Sequence, residues 1–335
     1  MTAMPRSRRD LLVAAGAAAL VGTAPAFAAA AEPPPETPRI RLAQIVGNCY
    51  APQYVAEELL AAEGFTDLRY VRMAGSGQLY PALSAGEIDL TLAFLEPSIV
   101  HIDSDRSIVM LAGGHPGCLE LFGSDRIREI RDLKGKAVAV QALGSAGHVF
   151  IASMLAHVGI DAKRDIRWVV LPNEESLRQL ADGRVDAFMS GPPSSYEFRA
   201  RKVGHMVVNM TTDRPWSQYF CCMLTGNREF VARNPVATKR ALRAILKGAN
   251  LCASSPEPAA RLLVRRGFAP SYDTAQQLLS EVAYARWRDF DAEDSVRFYA
   301  LRLQEAGFIK SSPKTIIAQG SDWRFVEQLK KELKT

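Results

Sequence analysis

The sequence predicts a two-lobed α/β protein, and three observations carry that expectation. Short apolar runs alternate with helical segments from Arg39 to about Met210, the rhythm of strand–helix–strand units. Two landmarks recur 97 positions apart: Gln44-x-x-Gly47-Asn48 answers to Gln141-x-x-Gly144-Ser145, and Leu83-x-x-Gly86-Glu87-Ile88-Asp89 answers to Leu180-x-x-Gly183-Arg184-Val185-Asp186. A repeat at one offset suggests two similar α/β units in tandem, with a cleft between them. After Asn227 the texture is helical alone, so the tail must pack back onto a lobe already made.

The chain has 335 residues, enough for two domains, and its 48% apolar and 23% charged residues are ordinary for a soluble globular protein. Its first residues are not ordinary. Arg8-Arg9 precedes an uncharged, Ala-rich run from Leu11 to Ala31, with small residues around Ala26-Phe27-Ala28, which reads as a twin-arginine export signal over residues 1–31. Gly16, Gly22 and Pro25 make the run a poor membrane anchor. Residues 32–38 (EPPPETP) read as a Pro-rich linker. Losing Arg6, Arg8, Arg9 and Asp10 with the leader lowers the formal charge from +5 to +3, too small an excess to argue for nucleic acid, and no nucleic-acid-binding motif is present.

From Arg39 the predicted order is strand Ile40 to Val46, helix 53–62, strand Leu68 to Met73, helix 78–85, strand Leu90 to Phe94, a short helix near Ser98 and strand Ile108 to Ala112. A strand near Leu119 to Phe122 leads to the second series: strand Ala137 to Ala142 and its helix, strand Ile166 to Leu171, helix 174–181, strand Ala187 to Met189, helix 194–202, then strands Met206 to Met210 and Tyr219 to Leu224. Helices follow, opened by Asn234-Pro235 and Ser255-Pro256, with further amphipathic segments over 274–285, 295–305 and 323–333. The turn Gly144-Ser145-Ala146-Gly147 is the most telling stretch. A buried strand runs into it and a helix leaves it, so backbone N–H groups at the positive end of that helix form a cradle for an anion or polar ligand. Ser145 there is either a contact to ligand or a helix N-cap.

Five cysteines, Cys49, Cys118, Cys221, Cys222 and Cys252, lack the spacing of a zinc site. Were their strands neighbours, Cys118 could bridge to Cys221 or Cys222. His101, Asp103 and Asp105 read as solvated surface, and no metal or cofactor is expected.

The ordered set Gly75-Ser76-Gly77, Ala85-Gly86-Glu87-Ile88-Asp89, Asp132-Leu133-Lys134-Gly135-Lys136, Gly144-Ser145, Gly183-Arg184-Val185-Asp186-Ala187 and Asn234-Pro235 resembles the periplasmic solute-binding proteins of ABC importers, in the nitrate/sulfonate/taurine class that also holds thiamine-pyrimidine-precursor binders. The resemblance spans about residues 39–330. It implies a type II-like periplasmic binding protein, each lobe a mostly parallel sheet flanked by helices: lobe 1 from residues 39–117 plus 216–335, carrying the helical extension, and lobe 2 from residues 120–212. The ligand contacts it implies are Gly47, Asn48, Tyr50, Gly75, Ser76, Gln78, Phe94 and Glu96 in first-lobe loops and Gly144 and Ser145 in the second-lobe turn; Ala146, His148, Ser190 and the aromatic Tyr219 are added as candidates from their own positions.

The function so implied is capture of a small organic anion or zwitterion in the periplasm by a monomer that delivers it to an inner-membrane permease in a transient contact. A pyrimidine-like heterocycle is the alternative ligand, with Tyr50, Phe94 and Tyr219 available for stacking. A secreted enzyme with a Ser/Cys/His site is the alternative class. It is the weaker one, because Gly144-Ser145-Ala146-Gly147 lacks the G-x-S-x-G elbow. The signal itself is testable: replacing Arg8 and Arg9 together by Lys should abolish export, and an undiminished periplasmic yield of the double variant would refute the twin-arginine reading.

Overall fold

The computed structural model describes residues 32–45, 49–73 and 75–333, with the Ser76 side chain excepted; the leader, residues 46–48 with Gly47 and Asn48, and the last two residues lie outside the described set. Its strands are β1 (Arg39–Gln44), β2 (Asp67–Arg72), β3 (Leu90–Phe94), β4 (Ile108–Pro116), β5 (Glu120–Gly123), β6 (Ala137–Val140), β7 (Arg167–Val170), β8 (Ala187–Ser190), β9 (His205–Asn209) and β10 (Phe220–Asn227). Helices among them are α1 (Ala51–Val55), α2 (Glu57–Ala62), α3 (Ser76–Ser84), α4 (Leu95–Ser104), α5 (Ala146–His157), α6 (Asn173–Ala181) and α7 (Ser194–Arg201). The tail adds α8 (Arg228–Arg233), α9 (Pro235–Ser254), α10 (Pro256–Arg265), α11 (Tyr272–Glu281), α12 (Ala292–Glu305), α13 (Pro313–Gly320) and α14 (Arg324–Glu332).

Two five-stranded sheets form, in the orders β2-β1-β3-β10-β4 and β7-β6-β8-β5-β9. The two orders are the same pattern, an α/β fold written twice. In each sheet the first three strands run parallel, as crossover helices require. The sheets are mixed rather than wholly parallel: β10 runs antiparallel to β3 and β4, and β5 antiparallel to β8 and β9. The reason is the path of the chain. It leaves the first sheet through β4, enters the second through β5, and returns through β10, so the two arriving strands come from the opposite end.

The internal repeat has a physical basis. Asp89 and Asp186 each follow a glycine-closed helix, with Gly86 and Gly183 both at φ +70°. Each aspartate then accepts from a backbone N–H in the first half of the first parallel strand of its own sheet: Arg41 N to Asp89 Oδ2 at 2.7 Å, Ala137 N to Asp186 Oδ2 at 2.9 Å. An arginine closes each staple, Arg41 on Asp89 at 2.5 Å and Arg126 on Asp186 at 2.7 Å. Buried Gln53 adds a second clamp in the first sheet, donating to Ala43 O at 2.6 Å and accepting from Leu92 N at 2.9 Å.

One hydrophobic core joins the inner faces of both sheets, and a smaller one, with Phe122, Phe188 and Phe198 at its centre, fills the outer face of the second. The tail helices close the first sheet: α9 packs on α1 and α2, and α14 on α9 and β4. Helix α12 lies against both α4 and α5, one helix from each half. Two details depart from the sequence reading. The strand expected to stop at Ala112 continues to Pro116, because Gly113 and Gly114 leave room for the Phe220 ring and Leu92 that any Cβ would strike. Part of the presumed linker is built into the fold: the Glu36 carboxylate accepts from Val236 N and Ala237 N and so caps α9.

The staples differ in exposure, Arg41 being 29% and Arg126 61% exposed. Asp89→Ala should therefore cost about 3 kcal/mol of folding stability, the range for breaking a buried pair, and Asp186→Ala clearly less. Denaturant melts of the two variants check the order.

Candidate functional site

A cleft of about 230 Å³ lies where the two sheets' strand ends meet. From the first sheet it is lined by Ile45, just past β1, by Gly75 ahead of α3, and by Phe94 at the end of β3. From the second come Val140 and Gln141 after β6, Ser145 to Gly147 at the start of α5, Asn173 at the start of α6, Met189 to Pro192 after β8, and Ser194 at the start of α7. Leu119, just ahead of β5, completes it.

Five helices thus begin at this cleft: α3, α4, α5, α6 and α7 have Gly75, Phe94, Ser145, Asn173 and Ser194 at or beside their first residue. The first-turn N–H groups of a helix have no partner inside it, and the aligned peptide dipoles make that end positive. Among the described residues no charged side chain lines the cleft. Its polarity is that of amides and hydroxyls: Gln141, Ser145, Asn173, Ser190 and Ser194, with Asn173 Nδ2 donating to Ser190 Oγ at 3.2 Å.

The surroundings of Ser145 bear on the choice that the sequence left open. It occupies the N-cap position of α5, yet its side chain makes no capping bond, and its hydroxyl is buried without a partner. Val149 N bonds instead to the Ser145 carbonyl at 3.0 Å. An uncapped helix start and an unpartnered hydroxyl beside a cleft speak against the cap.

Of the other sequence-predicted contacts, Gly75, Phe94, Ala146 and Ser190 also line this cleft. Gly144 lines a neighbouring depression that shares Ser145 and Ala146. His148 does not line the cleft: its Nδ1 accepts from Gly144 N at 2.8 Å, and its ring is wedged against Trp168 and Phe308 at 4.5 and 5.1 Å. Burial lowers its pKa to about 4, so it is neutral at pH 7. Glu96 is wholly buried between α4 and α5, where its Oε1 accepts from Ser153 Oγ at 2.6 Å; burial pushes its carboxyl well above the usual range. Tyr50 is buried behind the cleft, Tyr219 stacks on Phe298 at 4.0 Å, and Gln78 is exposed on α3. Gly47 and Asn48, and the side chain of Ser76, lie outside the described residues.

Sequence reasoning missed Gln141, Asn173, Met189, Gly191 and Ser194. The signal was present, since each sits at the carboxyl end of a parallel strand or the first turn of the helix after it. For the alternative of a Ser/Cys/His site, His148 accepts a backbone N–H through Nδ1, no histidine among the described residues lines the cleft, and His115 lies instead beside Cys49, Cys118 and Cys222. Asp103, at the surface as read, is also tied to the tail, its carboxylate accepting from Lys310 N and Ser311 N. Cys118 does meet the Cys221-Cys222 pair, its sulfur 3.4 Å from that of Cys221, but neither bridges to it.

The model of the NMT1-like family matches residues 120–266. No curated protein matches the chain. Among solved structures, the periplasmic nitrate-binding protein NrtA from Synechocystis PCC 6803 is 17% identical, with 90% of each chain covered and a TM-score of 0.71. A putative periplasmic sulfonate-binding protein SsuA from Methylobacillus flagellatus KT is 21% identical, covering 88% of this chain and 94% of that one, with a TM-score of 0.66. The alkanesulfonate-binding protein SsuA from Xanthomonas axonopodis pv. citri, bound to MOPS, is 17% identical over 86% of this chain and 99% of that one, with a TM-score of 0.63. The chain has the fold of the periplasmic solute-binding proteins, and these likenesses match the nitrate/sulfonate/taurine class that the sequence resembles. Among the described residues no helix is long and apolar enough to cross a membrane.

His148 carries a pH consequence. Its folded pKa of about 4 lies below the ordinary value of 6.5, so between those values the unfolded chain binds more protons and stability falls as the pH falls. His148→Phe should flatten that part of the stability profile, read from thermal melts between pH 7 and 4.

Proposed function

We propose that this protein is the extracytoplasmic solute-binding component of an ABC importer, and that its ligand is a small organic anion of the sulfonate type. The observation that carries the reading is the convergence of five helix starts on a cleft with no charged side chain among the described residues. Each helix start is worth about 0.3–2 kcal/mol to an anion. The hydroxyl and amide groups of Ser145, Ser190, Ser194 and Asn173 add donors whose direction suits the oxygens of a sulfonate or carboxylate. The absence of a lining carboxylate favours an anion over a zwitterion, since nothing described would pair with an ammonium. Of the three aromatic residues considered for stacking on a heterocycle, only Phe94 lines the cleft, so the anion is also favoured over a pyrimidine.

In this reading residues 39–117 with 216–335 form one lobe and residues 120–212 the other. Ligand touches both, and the closed arrangement that brings the two sets of helix starts together is the form an inner-membrane permease recognises. No covalent chemistry is required. The protein works as a periplasmic monomer.

Small alkanesulfonates should raise the melting temperature of the purified protein and be recovered unchanged, whereas steady turnover by pure protein would overturn the binding reading. Ser145→Ala should weaken binding by roughly 1–2 kcal/mol in titration calorimetry while leaving the denaturant melt unmoved, because the hydroxyl caps nothing. Ser145→Trp should weaken it further by filling the cleft. Unchanged affinity in both variants would place the ligand elsewhere.

A further inference from the structure

Behind the cleft, where the chain passes from the first sheet to the second, four soft donors from three distant stretches meet. Cys49 lies ahead of α1, His115 near the end of β4, Cys118 on the crossover to β5, and Cys222 on the returning strand β10. Their ligating atoms all lie within 4.8 Å of one another, and all four residues are buried. We propose that they form a closed Cys3His site for a thiophilic divalent cation, zinc being the best fit.

The spacing of the sulfurs favours a metal. Cys49 Sγ stands 3.7 Å from Cys222 Sγ and 3.5 Å from Cys118 Sγ. Zinc–sulfur bonds of about 2.3 Å in a tetrahedron place sulfurs about 3.8 Å apart, close to both separations. The histidine is prepared in the same sense. His115 Nδ1 lies 3.3 Å from the Pro116 carbonyl, a contact that holds the proton on Nδ1, and its buried Nε2 has no partner. A lone pair left unsatisfied in a dry interior is what a metal ligand looks like before loading. A disulfide would use two of the sulfurs and still leave Nε2 unsatisfied. A metal satisfies all four donors, displacing three thiol protons as it binds.

The backbone is shaped to bring these donors together. Cys222 is the register partner of His115 across the β10–β4 pairing, and the ladder is irregular on both sides of it, so the strand is locally re-aimed. Three residues after His115, Cys118 is turned back by φ values of +67° at Gly117 and +108° at Cys118 itself, the latter rare for a residue with a side chain. At Gly117 a Cβ would lie 2.4 Å from the Thr211 backbone, so only glycine serves. Tyr50 and Tyr284 supply the surroundings. Tyr284 donates to the Cys49 carbonyl at 3.1 Å and sets its ring edge-on to His115, while the Tyr50 hydroxyl, within electrostatic reach of Cys222 and Cys49, is a spare donor for thiolate charge.

The probe is Co2+ added to the reduced, full-length mature protein. The expected result is one equivalent bound, with thiolate-to-cobalt charge-transfer absorption and the ligand-field bands of a tetrahedral ion, displaced by Zn2+. Cys222→Ser and His115→Ala should each weaken Co2+ binding by more than about 100-fold, the upper end for loss of a mere outer-shell partner. Cys252→Ser, which removes a thiol outside the cluster, should leave binding unchanged. Folded, reduced wild-type protein with no thiolate band would overturn the proposal, a readout that needs no variant to fold. So would full retention of the band in Cys222→Ser, or recovery of the exported protein with Cys118 locked in a disulfide to Cys221. Solute binding at the cleft is measured separately, so failure of this site leaves the sulfonate reading intact.

Discussion

Parallel pairing is the constraint on which the rest depends. Two parallel strands cannot be joined by a hairpin, so the chain must cross back over the sheet, and the helix it uses begins where the strand ended. Every β-to-α junction therefore lands on one edge. Here β1, β3, β6 and β8 all end at that edge, and α3 to α7 all start there or beside it. The positive cleft needs no arginine or lysine because topology has already gathered the dipoles. The Asp89 and Asp186 staples serve the same geometry, each pinning the last parallel strand of its sheet to the first residues of the one before.

Charge is kept away from the cleft rather than used in it. Glu96, two residues past the cleft-lining Phe94, is turned inward onto Ser153, where burial favours its neutral form. Glu120, at the start of β5, is likewise half-neutralised: burial raises its pKa to about 7, with Arg199 opposing the rise and Glu281 adding to it. Arg199 itself reaches Glu281 of the tail at 2.8 Å. An ionised carboxylate at either place would set a negative field against the helix starts. Protonation or pairing removes that field without removing the side chain.

What the sequence made legible was whatever depends on neighbours in the chain. The alternation of strand and helix, the glycine-closed repeats around Asp89 and Asp186, and the small-residue turn at Ser145 are all local signals, and the structure places them as read. Ser145 as ligand contact or cap was undecidable locally, because both uses put a serine in the same position; the unpartnered hydroxyl speaks only against the cap. His148 was misplaced for a related reason. It is one turn into α5, but the helix turns that face toward Trp168 and Phe308 instead of the cleft, and no spacing rule reports which way a whole helix is rolled. Asn173 and Ser194 were legible in principle through the strand-end rule, and were hidden by unremarkable composition.

The cysteines mark the opposite limit. Zinc spacings that can be read from sequence are short because the ligands share a loop, whereas Cys49 and Cys222 are 173 residues apart and meet only because β10 returns between β3 and β4. That return also makes their position consequential. Cys118 stands on the outgoing crossing and Cys222 just after the incoming one, so any bond that joined them, through a metal or directly, would fix the two passages to each other. The cleft lies immediately beyond, where Leu119 follows Cys118 into its lining. The proposed metal site would therefore tie the two passages to each other directly behind the cleft, next to the point where the chain enters its lining.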